Sequence, residues 1–437
     1  MKIRQAAVVA AGAIFFALGV QETLRAQQTI SKFDREAAEQ MLQIIRDRVK
    51  EYYYDPSYHG VDLDARYKTY AERISQAPNR GAAFAEIAAY LSALHDSHTF
   101  FIPPVRSSVF DYGFRMQLIG DRDYITDLRP GSDAATKLHP GDEVLGLNHF
   151  SVNRADFDDL SYYLNELSPQ LGVTFELRDP AGRERKEFVK TRVEDRPLIG
   201  GNGNLGFEIY LQHRDSFRNL MHGRSQEIGD ALIWKVPGFF ESNGEVGQMV
   251  DKAREHKALI IDLRGDPGGS PEMDARMVGD LMERDVTVTT RLSRKGANPD
   301  VAKTRGKNAF SGKLVVLVDS RSASAAELFA RVVQLEHRGI VVGDRTSGRV
   351  METIIHHLHF PGEYAVAITE ANLIMSDGKS LEGVGVTPDV IVLPTGADLA
   401  AGRDPALAKA AELAGVKLTP EEAGKLFPFE WAPLEAE

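Results

Sequence analysis

Leu314-Val315-Val316-Leu317-Val318-Asp319-Ser320-Arg321-Ser322-Ala323-Ser324-Ala325-Ala326-Glu327 decides how this chain is read. The unbroken apolar run predicts a strand buried on both faces. The small residues behind it predict a turn that opens into a helix, where a hydrolase presents a nucleophilic hydroxyl, here that of Ser324. Leu259-Ile260-Ile261-Asp262-Leu263-Arg264-Gly265-Asp266-Pro267-Gly268-Gly269 has the same form, a strand ending in a glycine-rich turn. A third piece, His95-Asp96-Ser97-His98-Thr99, carries the histidines best placed to act as a base. A nucleophile, backbone N–H donors for an oxyanion and a general base are the parts of a serine hydrolase.

On either side of this stretch, short apolar strands are predicted at 231–236, 258–263, 314–318 and 340–342, with helices at 244–256, 272–283 and 325–337. Strands apolar on both faces and alternating with helices indicate an α/β layered core, placed at 197–396. Residues 30–106 read as a helical region, with helices at 33–54, 64–75 and 82–94. Met41, Leu42, Ile45 and Val49 share one face of the first, and Phe84, Ile87, Leu91 and Leu94 one face of the last. From 108 to 193 the texture changes to short strands and turns, including Pro130-Gly131-Ser132, Pro140-Gly141-Asp142-Glu143-Val144 and a hairpin across Asp179-Pro180-Ala181-Gly182. One helix is expected at 154–167. Residues 397–437 read as a last helix near 404–413 and a tail. The fold class is α/β, or α+β over several domains.

Composition narrows the chemistry. With 437 residues, 43% hydrophobic and 26% charged, the chain has the make-up of an ordinary globular protein. A net charge of −11 argues against nucleic acid or an anionic membrane as partner. Cysteine is absent, which removes disulfides, thiolate catalysis and thiolate metal sites and leaves a hydroxyl as the natural nucleophile. Neither a phosphate-binding loop of the Walker type nor a His-Glu-x-x-His zinc motif occurs, so no cofactor and no metal are expected. His356, His357 and His359 lack an accompanying carboxylate cluster and read as surface histidines.

Lys2 and Arg4 precede an apolar stretch from Ala6 to Val20, too short for a comfortable membrane span. Residues 1–26 therefore read as a signal peptide, cleaved after Gly19 or Ala26, with an uncleaved N-terminal anchor as the alternative. Either way the folded part is expected outside the cytoplasm, periplasmic or secreted.

The order of helical region, β-rich segment, Asp262-Leu263-Arg264-Gly265-Asp266-Pro267-Gly268-Gly269 and Ser322-Ala323-Ser324-Ala325-Ala326-Glu327 resembles the C-terminal-processing and tricorn-type serine peptidases. Gly343-Asp344-Arg345-Thr346-Ser347-Gly348 and Glu382-Gly383-Val384-Gly385-Val386-Thr387-Pro388-Asp389 add to the likeness, which covers nearly the whole mature chain. It implies a crotonase-like core, a circularly permuted PDZ-like domain at 108–193 and cleavage of peptides or unfolded protein. Processing-type members carry a catalytic lysine at the position of Arg349, and a guanidinium with pKa above about 12 cannot replace it as a base. The resemblance to the tricorn branch instead implies a set in which His98 takes the proton of Ser324, Ser97 orients His98, and Glu382 polarises Ser97. Gly268 or Gly269 and Ala325 would supply oxyanion donors, each worth about 2.7–4 kcal/mol in the barrier. Tyr112-Gly113-Phe114 falls where a carboxylate-binding loop for an extended peptide is expected. Ser324 also has a plainer reading as a helix N-cap, and His95 is a second choice of base. The competing functional reading is a catalytically silent peptide- or apolar-ligand-binding protein on the same scaffold. A homo-oligomer is compatible with either.

Overall fold

The computed structural model describes residues 29–195, 214–220 and 223–432. The expected signal segment 1–26 lies outside the described residues, as does the expected start of the core at 197. Helices Lys32–Tyr52, Leu63–Ser75 and Arg80–Ser92 open the chain, each started by a side-chain N-cap: Ser31, Asp62 and Asn79. Their apolar faces converge on Phe101, Tyr364, Val366 and Ile368, so the helical region shares its core with a β-sheet. That shared core delivers His95 to Thr99 to the sheet, because Phe100–Ile102 pairs antiparallel with Tyr364–Ile374.

The central sheet runs in the order Arg224–Ile228, Ala231–Lys235, Ala258–Asp262, Lys313–Val318, Ile340–Gly343, Val390–Ile391. Only the first pair is antiparallel. Alternate residues serve opposite faces. Leu259, Ile261, Leu314, Val316 and Val318 pack under helices Asn243–Ala253, Pro271–Leu281 and Ala325–Leu335. Ala258, Ile260, Val315 and Leu317 pack against Ala406, Leu407, Ala410 and Ala411 of helix Pro405–Ala414. The continuous apolar runs reflect burial on both sides.

A second, antiparallel sheet joins Phe100–Ile102, Tyr364–Ile374, Val286–Ser293 and Gly296–Ala302, with Met351–Leu358 on the other edge of Tyr364–Ile374. Sequence patterning assigned no strand at 286–302. Gly296, Asn298 and Pro299 are poor strand formers, and this edge strand is mostly exposed, so it lacks the alternation that burial imposes. His356, expected at the surface, is half-buried against Tyr52, with ring centroids 4.4 Å apart.

Between the helices and the core, strands Phe114–Ile119, Arg122–Leu128, Glu143–Leu147, Gly172–Arg178 and Glu184–Lys190 form a separate sheet over a small core of Ile125, Val144, Leu147, Val173 and Phe175. The single helix expected at 154–167 is Phe157–Tyr162 running into a π-turn, Tyr163–Leu167. The tail is not loose. Helix Pro420–Ala423 comes after Pro405–Ala414, and the Arg115 guanidinium lies 3.7 Å from the Phe429 ring centroid. Among the described residues no helix is long and apolar enough to cross a membrane, and no group of acidic or histidine residues could hold a metal ion.

Candidate active site

Two strand ends meet at the site. Val318 ends the strand Lys313–Val318, and Asp319 organises the turn beyond it. Its carboxylate accepts the N–H groups of Gly265 (2.9 Å) and Arg321 (3.0 Å) and the Gln117 side-chain amide (2.7 Å). One residue thus ties together the glycine turn, the serine turn and the strand Phe114–Ile119. Ser322 locks the turn by donating to the Leu263 carbonyl at 2.8 Å.

Ser324 stands at the start of helix Ala325–Leu335 with φ 53° and ψ −119°. An ordinary N-cap is extended. A left-handed serine costs about 1–3 kcal/mol and persists only where its surroundings enforce it. Here the Ser324 N–H donates to the Arg349 carbonyl (2.9 Å) and to Glu327 (3.1 Å). Glu327 is fully buried and also accepts the N–H groups of Gly348 (2.8 Å) and Arg349 (2.9 Å) and the Thr346 hydroxyl. Burial pushes its carboxyl up to about 7, against the pull of those hydrogen bonds. Sequence reasoning gave Glu327 no role. Its spacing, three residues after Ser324, is that of a capping box and was the available signal.

The glycine turn lies directly on Ser324. A methyl group at Gly268 would sit 2.6 Å from Ser324 Cβ and 3.0 Å from the Ala325 nitrogen, so only glycine fits. The Gly268 N–H donates to Asp266 at 2.7 Å and is occupied. The N–H groups of Gly269 and Ala325 have no hydrogen-bond partner among the described residues. Asp266 is buried, which holds its carboxyl well above the usual range.

His98 comes from the other side, on the segment that leads into Phe100–Ile102. The Asp96 carboxylate shapes this segment by accepting the His98 N–H (2.8 Å) and the Thr369 hydroxyl (2.8 Å). His98 Nδ1 lies 2.8 Å from Ser97 Oγ, which donates to Glu382 Oε2 at 3.0 Å. Glu382 also accepts the N–H groups of Ser97 (2.8 Å) and Val350 (2.8 Å). Burial raises the Glu382 carboxyl, and these three donors oppose the rise. Since the Ser97 hydroxyl proton points to Glu382, its oxygen accepts from His98 Nδ1–H. Nε2 is then the unprotonated nitrogen. Burial first, and Arg349 second, lower His98 to about 4, with Asp96 opposing. Glu382, distant in sequence from the neighbours Ser97 and His98, is brought into one hydrogen-bonded line with them. No hydrogen bond joins His98 to Ser324 among the described residues, a common feature of sites without substrate. His95 is exposed and takes no part.

The expected peptide loop is more heavily used than its sequence suggests. The Tyr112 hydroxyl donates to the Leu164 carbonyl (2.9 Å) and accepts the Gln170 N–H (3.0 Å). The Gly113 N–H is taken by Asp111 at 2.9 Å, and Phe114 packs edge-on against Phe175. Strand Phe114–Ile119 pairs only with Arg122–Leu128 and keeps its other edge open among the described strands.

Two segments of the chain have counterparts in known proteins. Residues 231–392 match Peptidase family S41, and residues 34–88 match the Tricorn protease C1 domain. A tail-specific protease of Haemophilus influenzae is 28% identical over 273 residues, covering 58% of this chain and 36% of its own length. Carboxyl-terminal-processing peptidase 3, chloroplastic, of Arabidopsis thaliana is 24% identical over 357 residues, covering 78% of this chain and 66% of its own length. The chain thus spans from about a third to just under two thirds of these relatives. The solved structure of mature CPAF shares the fold, with a TM-score of 0.63 at 16% identity over 84% of this chain and 95% of that one. Through these two matched segments and these relatives, the chain is similar to peptidase family S41 and its C-terminal-processing and tricorn members.

Proposed function

We propose that this chain is an exported serine peptidase that cleaves peptides or protein C-terminal regions through an acyl-enzyme, with Ser324 as nucleophile and His98 as base. The line Glu382–Ser97–His98 carries the reading, because it leaves His98 Nε2 as the free basic nitrogen. In the reaction the Ser324 hydroxyl proton passes to Nε2 while Oγ bonds to the scissile carbonyl carbon. The N–H groups of Gly269 and Ala325 receive the oxyanion. Collapse expels the amine, which takes the proton from His98, and water then releases the acyl group by the same steps in reverse order. Export rests on Lys2, Arg4 and the apolar stretch behind them. The segment 108–193 acts as a PDZ-like unit that adds an extended peptide to the open edge of Phe114–Ile119.

Labelling with a fluorophosphonate probe tests the chemistry. Wild type should be captured at Ser324, while Ser324→Ala and His98→Ala should not. Capture that survives His98→Ala would move the base elsewhere, and no capture of wild type would favour a silent binding protein on this scaffold.

A further inference from the structure

Arg349 is fixed beside the nucleophile, yet acyl transfer between Ser324 and His98 makes no use of its side chain. Its carbonyl accepts the Ser324 N–H at 2.9 Å and its own N–H donates to Glu327 at 2.9 Å, so the residue cannot drift from the site. The guanidinium reaches back toward His98, and Nη2 donates to the Ser97 carbonyl at 3.2 Å. On its far side Nη1 faces Asp158 Oδ2 of helix Phe157–Tyr162 at 3.9 Å, beyond hydrogen-bond range. The Arg349 side chain is 40% exposed and that of Asp158 is 59% exposed. A guanidinium carries five donors in a planar fork that matches a carboxylate, and one of them is used here.

We propose that Arg349 is a specificity-determining residue that receives a carboxylate of the bound peptide, whether an acidic side chain or the free C-terminus, and that Asp158 holds the place of this carboxylate in the free protein. The proposal rests on the Ser324 hydrolase reading. A chain of net charge −11 repels acidic peptides at long range, so their recognition needs a local cation such as this one. The same pairing assists the chemistry. Arg349 opposes a positive charge on His98, and a substrate carboxylate on the guanidinium would relieve that opposition as His98 takes up the Ser324 proton.

The test uses internally quenched peptides in matched pairs: Glu against Gln at each position around the cleaved bond, and a free against an amidated C-terminus. Each pair is also scored for protection of Ser324 from fluorophosphonate labelling, a readout independent of turnover. In wild type the carboxylate member of one pair should be favoured about tenfold or more in kcat/KM and in protection. In Arg349→Gln that ratio should fall to about one, in Arg349→Lys it should persist in part, and Asp158→Asn should lower KM for the acidic member. The pair that responds distinguishes a side-chain from a terminal carboxylate. A wild type without carboxylate preference, or a preference that survives Arg349→Gln, overturns the proposal. So does an equal loss on both members in Arg349→Gln and Asp158→Asn, which would make Arg349 a brace between Ser97 and the helix. A wild type that the probe does not label removes the hydrolase reading itself, a failure distinct from these.

Discussion

His98 is half-buried beside a guanidinium, and both influences favour its neutral form, holding it at about 4. A general base acts only when unprotonated. The acid limb of kcat/KM against pH is therefore expected near pH 4, well below the ordinary imidazole value of about 6.5. A limb centred near 6.5 would contradict this environment. Arg349→Gln removes one of the two causes and should shift the limb upward. Stability has the same sign. The folded value lies below the unfolded one, so His98 costs nothing above about pH 6.5 and progressively destabilises the fold as pH falls from there to about 4. At this scale the hydroxyl, the imidazole and Glu382 were legible as residue types in motifs. The pull of Arg349 on His98 was not, because Arg349 is far from His98 in sequence and meets it only through the Ser97 carbonyl.

The elements that matter are two turns at the ends of neighbouring parallel strands, pressed together by their register. Asp262 lies opposite Leu317, so the glycine turn and the serine turn leave the sheet side by side. Gly268→Ala should therefore damage the site rather than the sheet. The added methyl meets Ser324 Cβ at 2.6 Å, and φ at Gly268 is +97°, where a side chain costs about 1–2 kcal/mol. The labelling rate of Ser324 should fall about tenfold or more, with the far-UV circular dichroism unchanged. An unaltered rate would mean that the turn does not shape the nucleophile. Both turns could be read in the sequence because apolar runs ending in small residues have one common structural outcome. Strand Gly296–Ala302 could not, since it is held by pairing with Val286–Ser293 and not by its own composition. The proposed oxyanion donors narrowed for a similar reason. Glycine at 268 and 269 was visible, but only folding shows that Asp266 already takes the Gly268 N–H.

At the scale of the whole molecule, the last residues bind the β-rich segment to the rest. Arg129, only 3% exposed, forms an ion pair with Asp111 at 2.8 Å, stacks over Trp431 with its centroid 4.5 Å away, and donates to the Ala432 carbonyl at 2.7 Å. Ending the chain after Phe427 would strip that buried cation of its Trp431 and Ala432 contacts and leave it to Asp111 and Asp215. We expect a loss of about 2–4 kcal/mol in urea denaturation monitored by circular dichroism. An unchanged midpoint would show that the tail contributes nothing. The segment read from the sequence as a tail makes contacts about three hundred residues upstream, with Arg129. The sequence by itself determined the α/β class and the strand-to-turn placement of Ser324, because apolar periodicity and turn chemistry are local properties. The tertiary structure alone decided which groups meet. The line from Glu382 through Ser97 to His98, the grip of Glu327 on the loop Thr346 to Arg349 and the reach of Arg349 toward Asp158 all depend on long-range packing. Hydrogen bonds between groups distant in the chain form only after the sheets and helices have brought them together.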